Sequence, residues 1–257
     1  MNIKNNLHKL LVFINNYLFD LFLYEKNKLG KSVFLFSDSR GSEIDSFYKQ
    51  KNPFFSYISS KEFKGYDISY HLCPKKFTSI IDFLENYESA SNYDVIVLHC
   101  GIVDFAPRPL SSYESMLASK RSYLVSKGWY KYFTDRQDYS CCYEGEKTLS
   151  FFSEDFFKEI IVPKLKEIEN LIYVGLNPVL LDWRGDYWRD RPSCINEQLS
   201  FDKILQLELN NTIDISSWTE AQIKKFTVDN VHYNKTGMDY FSKEIVEIIK
   251  LMKLKEN

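Results

Sequence analysis

Two short runs carry the residue types needed to move a proton and attack an electrophile. Near the N-terminus, Phe36-Ser37-Asp38-Ser39-Arg40-Gly41 closes an apolar stretch. Near the C-terminus, Asp229-Asn230-Val231-His232 precedes the last amphipathic segment. An Asp and a His three residues apart can hydrogen-bond locally. The carboxylate then fixes the imidazole tautomer, and the other ring nitrogen can face a serine hydroxyl. A serine that opens a helix after a strand exposes its hydroxyl and aims its own backbone N–H at a ligand. Ser39, His232 and Asp229 are therefore the candidate catalytic residues. A third run, Gly101-Ile102-Val103-Asp104, adds Gly101 and Asp104 as candidate substrate contacts. Arg40, Arg108 and Lys75 are the nearby cations that could hold an oxyanion or an anionic substrate group. Asp38 is expected to make turn or cap hydrogen bonds, and His71 and His99 to be packed residues.

The elements that must position these residues follow from the apolar pattern. Ser32–Phe36, Tyr66–Leu72, Asp94–His99, Leu171–Gly175 and Thr212–Ile215 are short apolar runs bounded by turn residues, and they read as buried strands. Helical patterns fall at Ser42–Gln50, Thr78–Tyr87, Ser153–Glu169 (kinked by Pro163), Ile195–Leu209 and Thr236–Met252. Strands alternating with helices specify a parallel sheet covered on both faces, with ligands bound beyond the carboxyl ends of the strands. Ser39, Gly101 and Asp104 all sit just after a strand. Residues 1–30 read as an amphipathic helix, with Leu7, Leu10, Leu11, Ile14, Leu18, Leu21 and Phe22 at helical spacing. Such a helix packs on the domain or a second copy, or lies on a membrane surface. Residues 31–257 read as one α/β domain, with an aromatic-rich capping insertion around 110–150.

Composition narrows the function classes. The 257 residues carry 33 Lys+Arg against 35 Asp+Glu, so no excess positive charge exists for a nucleic-acid partner. Asn15, Asn16 and Asp20 interrupt the N-terminal apolar run, and no small-residue cleavage site follows it, so neither a membrane span nor a secretory signal is expected. Five cysteines without CxxC spacing, two of them adjacent, predict unpaired thiols in a reducing compartment. Histidine is rare and no ligand spacing exists, so no metal site is expected.

The three runs, in this order and each at a strand end, resemble the SGNH hydrolase superfamily, the GDSL-type esterases. The matching blocks are Ser37-Asp38-Ser39, Gly101-Ile102-Val103-Asp104 and Asp229-Asn230-Val231-His232, and the resemblance spans Ser32 to the end of the chain. It implies a flavodoxin-like three-layer α/β/α sandwich with a parallel five-stranded sheet. It also implies a Ser39–His232–Asp229 triad acting on esters, with neither metal nor organic cofactor. The longer string Gly101 to Pro109 is similar to a divergent branch associated with bacterial surface polysaccharides. That likeness implies a small-molecule or glycan substrate, no nucleic acid, and a cytoplasmic or membrane-surface setting.

Two departures from the family pattern bear on activity. The superfamily places an oxyanion-binding Asn side chain where Val103 stands, and a Gly N–H after the second strand, where this chain has Leu72-Cys73-Pro74-Lys75. Neither Val103 nor Pro74 can donate there. The expectation is therefore a serine esterase or O-acyltransferase on acylated carbohydrate, with an acetyl ester as the expected substrate. The alternative is an SGNH-fold protein that binds a glycan or glycan precursor without cleaving it. A membrane-surface lipase would require an apolar pocket. A polar, aromatic-lined cleft would fit a sugar, and Trp183–Arg191 supplies aromatics and charges suited to one.

Overall fold

Alternate residues of the first strand point into two different hydrophobic cores, and this period of two sets the architecture. In the computed structural model, which describes residues 3–26, 31–43, 52–87, 92–187 and 190–255, Phe34 and Phe36 join one core and Val33 and Leu35 the other. In chain order the elements are α1 (Ile3–Lys26), β1 (Ser32–Ser37), β2 (Asp67–Leu72), α2 (Ile80–Tyr87), β3 (Val95–His99), α3 (Ile102–Phe105) and β4 (Arg108–Pro109). Then come α4 (Leu110–Ser126), β5 (Cys142–Tyr143), β6 (Glu146–Leu149), α5 (Glu154–Phe156), α6 (Val162–Lys166) and β7 (Leu171–Val174). The last are α7 (Gln198–Glu208), β8 (Thr212–Ile213), α8 (Glu220–Phe226) and α9 (Lys235–Lys255). The expected helix over 42–50 falls mostly on residues outside those described.

The main sheet has the order β2-β1-β3-β7-β8, and all its pairings are parallel. Its central strands are apolar throughout because both faces are covered, as a parallel sheet requires. Phe34, Phe36, Ile96, Leu98 and Tyr173 pack under α2, α3 and α7, while Val33, Leu35, Val95, Val97 and Ile172 pack against Phe241, Ile245 and Ile249 of α9. The result is the three-layer α/β/α sandwich with a parallel five-stranded sheet.

Four local features differ from the sequence expectation. First, the 110–150 region is better structured than its weak periodicity suggests. It holds the 17-residue α4 and a three-stranded antiparallel sheet of order β4-β6-β5. Second, the helix before β7 is irregular upstream of its proline. Residues Phe157–Ile161 form a π-helical turn between α5 and α6. Pro163 has no N–H for the carbonyl four residues back, and the turn before it widens. Third, α8 occupies a stretch for which no element was expected, although its signal was present: Thr219 and Gln222 form a reciprocal capping box. Fourth, Cys141 and Cys194 form a disulfide across 53 residues, which overturns the expectation of unpaired thiols. Cys73, Cys100 and Cys142 take part in no disulfide among the described residues.

Helix α1 docks through Phe19, which is wholly buried, and through an Asn15–Asn52 side-chain hydrogen bond of 2.9 Å. Leu7, Leu10, Phe13, Ile14, Tyr17, Leu18 and Leu21 stay exposed. Among the described residues no helix is long and apolar enough to cross a membrane.

Candidate active site

The turn after β1 is built around a buried ion pair. Asp38 donates its backbone N–H to the His99 carbonyl at 3.0 Å, which pins the turn to β3. Its carboxylate accepts from the Arg40 backbone N–H at 3.0 Å, capping the short 3-10 turn Ser39–Gly41. The same carboxylate receives Arg40 Nε at 2.9 Å and Nη2 at 2.9 Å, while Nη1 donates to the Gly175 carbonyl at 3.2 Å. Burial would lower the Arg40 pKa, but the Asp38 charge outweighs it and raises it further. Gly41 is required here, because a Cβ would lie 2.0 Å from Ser37 Oγ. Ser39, on the same turn, is held half-buried at the carboxyl end of the sheet.

Arg40 therefore does not bind substrate. It is 1% exposed and saturated by Asp38 and Gly175, and it clamps the Ser39 turn onto the end of β7. Spacing alone could not separate an arginine facing the ligand from one folded back onto the aspartate two residues earlier.

The histidine arrives on a tight loop between α8 and α9. Val228 N–H donates to the His232 carbonyl at 2.8 Å, and Thr227 bridges to Tyr233. Asn230 holds the turn in the left-handed region at φ 72°. Its side chain exchanges hydrogen bonds with Leu180 at 2.9 and 3.1 Å and donates to the Trp183 carbonyl. Asp229 Oδ1 accepts from the backbone N–H groups of Val231 (3.1 Å) and His232 (2.7 Å), and Oδ2 lies 2.8 Å from His232 Nδ1. An ionised carboxylate only accepts, so Nδ1 carries the proton and Nε2 presents its lone pair. Ser39 Oγ lies 3.0 Å from that Nε2 and donates to it. Burial would raise the Asp229 pKa, but the His232 ring, the His232 N–H and the Arg191 charge together hold it below the ordinary carboxylate value. The structure thus brings Ser39, His232 and Asp229 into one hydrogen-bonded chain from loops that are 190 residues apart in sequence.

The opposite wall is poorer in donors. After β2, Cys73 N–H donates to the Ser37 carbonyl at 2.8 Å, Pro74 has no N–H, and Lys75 N–H donates to Thr78 Oγ1 at 3.1 Å. Lys75 Nζ is taken up by Glu85 at 2.9 Å and Asp82 at 3.3 Å, so it is no oxyanion ligand. After β3, Gly101 takes φ 143° and packs against Phe105 and the Tyr173 hydroxyl; Val103 beside it is buried and apolar. Asp104 is fully buried: Oδ2 accepts from Ile80 N–H at 3.1 Å and Oδ1 has no partner among the described residues. Burial drives its pKa well above the usual carboxylate range. Asp104 is therefore a buried anchor for the start of α2, not a substrate contact. His99 is a neutral core residue, its pKa driven down first by burial and then by Arg40.

Arg108 occupies a different setting. It is half-buried, with Nε donating to the Val103 carbonyl at 3.1 Å and Nη2 to the Ile102 carbonyl at 3.4 Å. With Ile102, Ala106, Tyr143, Tyr187 and Arg191 it lines a small cleft of about 90 Å³. Arg191 connects this cleft to the triad. Its Nη2 is 3.4 Å from Asp229 Oδ2, and its guanidinium stacks 3.5 Å over the Tyr187 ring. Neither the Arg191–Asp229 contact nor the arrival of Tyr143 was readable from spacing, because both depend on the packing of distant loops. Larger depressions of about 730 and 630 Å³ lie elsewhere; neither they nor the small cleft are lined by Ser39, His232 or Asp229, and only the small cleft reaches Asp229 through Arg191. Among the described residues no cluster of His, Cys, Asp and Glu is placed to hold a metal ion.

No protein-family model matches the chain, and no curated protein matches it. Solved structures do. A lipase/acylhydrolase from Enterococcus faecalis superposes with a TM-score of 0.50 at 15% identity, over 86% of this chain and 95% of that one. A protein described as a GDSL-like lipase from Parabacteroides merdae gives 0.47 at 15% identity over 86% and 97%. A gut microbial diltiazem-metabolizing enzyme gives 0.46 at 12% identity over 86% and 47%. From the parallel five-stranded sheet and the first of these superpositions, the chain has the three-layer α/β/α fold of the Enterococcus faecalis lipase/acylhydrolase.

Proposed function

We propose that this protein is a serine ester hydrolase or O-acyltransferase that acts on acylated carbohydrate, with an acetyl ester of a surface polysaccharide as its substrate. The observation that carries this reading is the hydrogen-bonded chain Ser39 Oγ–His232 Nε2–Asp229 at 3.0 and 2.8 Å. His232 takes the Ser39 proton as Oγ attacks the ester carbonyl, and Asp229 stabilises the imidazolium. The imidazolium returns the proton to the leaving sugar oxygen, leaving an acyl-enzyme. Water, or a second sugar hydroxyl, then gives its proton to His232 as it bonds the acyl carbon, and His232 returns that proton to Ser39 Oγ as the Ser39 ester bond breaks. The cleft favours a sugar over a lipid. It is small, and Tyr143, Tyr187, Arg108 and Arg191 make it polar and aromatic rather than apolar.

A second reading keeps the fold and drops the chemistry. The absence of a donor at Val103 and the committed N–H groups after β2 favour a glycan-binding protein without esterase activity. Treating the folded protein with a fluorophosphonate and locating the adduct by mass spectrometry separates the two. A Ser39 adduct that disappears in His232→Ala is the expected result. An unlabelled protein with a native melting transition would favour the binding reading.

A further inference from the structure

Arg108 is a cation without a carboxylate. Among the described residues no acidic group lies within ion-pair distance of its guanidinium, and its two hydrogen bonds go to neutral carbonyls. The buried acids in its neighbourhood, Asp104 and Asp38, favour its charge only from beyond ion-pair distance and have other partners. Asp38 is neutralised by Arg40, and Asp104 is driven toward its uncharged form by burial. Asp190 lines the same cleft but is largely exposed, 3.6 Å from Arg184. Arg191, itself paired with Asp229 at 3.4 Å, lines the same cleft as Arg108. Holding the half-buried Arg108 guanidinium without a carboxylate partner is unfavourable unless something anionic joins it. Planar guanidinium forks are also the groups best suited to carboxylate and phosphate oxygens.

Building on the esterase reading above, we propose that the cleft binds the carboxylate of an acidic sugar between Arg108 and Arg191, so that the natural substrate is an O-acylated uronic-acid-type residue rather than a neutral sugar. The two tyrosines would flank the ring, and Arg191, anchored at Asp229, would set its distance from the triad.

The test compares matched esters on the wild-type protein: an O-acetylated hexuronic acid, the corresponding neutral hexose, and the hexose phosphate. Release of acetate gives kcat/KM for each. A charge-assisted bond is worth roughly 1.5–3 kcal/mol, so the acidic ester should be preferred by about 10- to 100-fold. Arg108→Met should reduce that preference to a few-fold, and Arg108→Lys should restore part of it. A phosphate preference that also needs Arg108 would support the anion site and identify a phosphoester as its source. Equal kcat/KM for acidic and neutral esters on a protein that labels at Ser39 would overturn the proposal and leave the esterase reading standing. If Ser39 does not label, calorimetric titration of the wild-type protein with free hexuronate decides it. Binding lost in Arg108→Met supports the anion site without the chemistry, and no binding overturns it.

Discussion

The two walls that flank Ser39 handle buried charge in opposite ways. On the His232 side the acid is ionised and satisfied: Asp229 accepts from two backbone N–H groups, the imidazole and, at longer range, Arg191. On the Gly101 side burial raises the pKa of both acids. Asp104 has one backbone donor and Asp202 two donors on a single oxygen, and in both burial dominates. The cation on that side, Arg108, has no carboxylate within ion-pair distance among the described residues. A carboxylate stays charged when several donors converge on it and takes up a proton when burial outruns them. The first wall thus aligns a serine hydroxyl, an imidazole and an ionised carboxylate in one hydrogen-bonded chain. The second lacks the side-chain donor that would stabilise an oxyanion and holds a positive charge open to the cleft.

The largest effect should come from breaking the first wall. Ser39→Ala and His232→Ala should each lower kcat for any ester by about 10⁴- to 10⁶-fold, since triad members act as a unit. Asp229→Asn should cost about 10⁴-fold, because an amide no longer selects the tautomer with a free Nε2 lone pair. Steady-state rates on an aryl acetate check all three. Wild-type-like turnover by Ser39→Ala would remove the nucleophile assignment.

Next in size is the tether of the second wall. The Cys141–Cys194 bond joins the β5–β6 hairpin, which carries Tyr143, to the segment carrying Arg191 and Pro192. Closing a loop of this length stabilises a fold by about 2–4 kcal/mol. Cys194→Ser should therefore lower the denaturant midpoint and raise KM more than it lowers kcat. An unchanged KM would show that the cleft does not depend on the cross-link. A smaller effect, of the opposite sign, is expected at Val103. Placing an Asn there supplies the missing donor and should raise kcat by up to about 10²-fold. No gain in Val103→Asn would mean that the oxyanion is held by other groups.

The same contrast explains what could be read from the sequence. The central strands were legible because a parallel strand buried on both faces is an unbroken apolar run, as in Val95–His99. The hydrogen-bonded chain Ser39–His232–Asp229 was legible because Asp229 and His232 lie three residues apart and Ser39 follows a strand directly. The second wall was not, because its features come from contacts between distant loops. Cys141 and Cys194 meet only through a hairpin of two- and four-residue strands, too short for periodicity to register. Arg40 and Arg108 are the same residue type near the same site, and only tertiary packing shows that one is saturated and the other open. Helix α8 was a different kind of omission, since its capping box was visible in Thr219 and Gln222.

The smallest effect is also the most direct test of the contrast in charge. Asp202 Oδ1 accepts from the Tyr173 hydroxyl at 2.7 Å and from Leu176 N–H at 3.1 Å, while Oδ2 has no partner among the described residues. Burial raises its pKa to about 6, from about 3.9 in an unfolded chain. A raised carboxyl favours folding below the unfolded value, and that advantage is lost as pH rises through 6. An Asn at this position keeps the acceptor for Tyr173 and Leu176 and never ionises. Asp202→Asn should therefore match the wild type near pH 4 and be more stable at pH 8, by at most about 3 kcal/mol. Asp229 has the opposite sign. Its pKa is depressed, so its contribution is present above the unfolded value and lost as pH falls, and Asp229→Asn should become more destabilising as pH rises. Melting temperatures of the two variants at pH 4 and pH 8 should therefore diverge from the wild type in opposite directions. Parallel shifts would mean that both walls hold their carboxylates in the same charge state, and the distinction between them would fail.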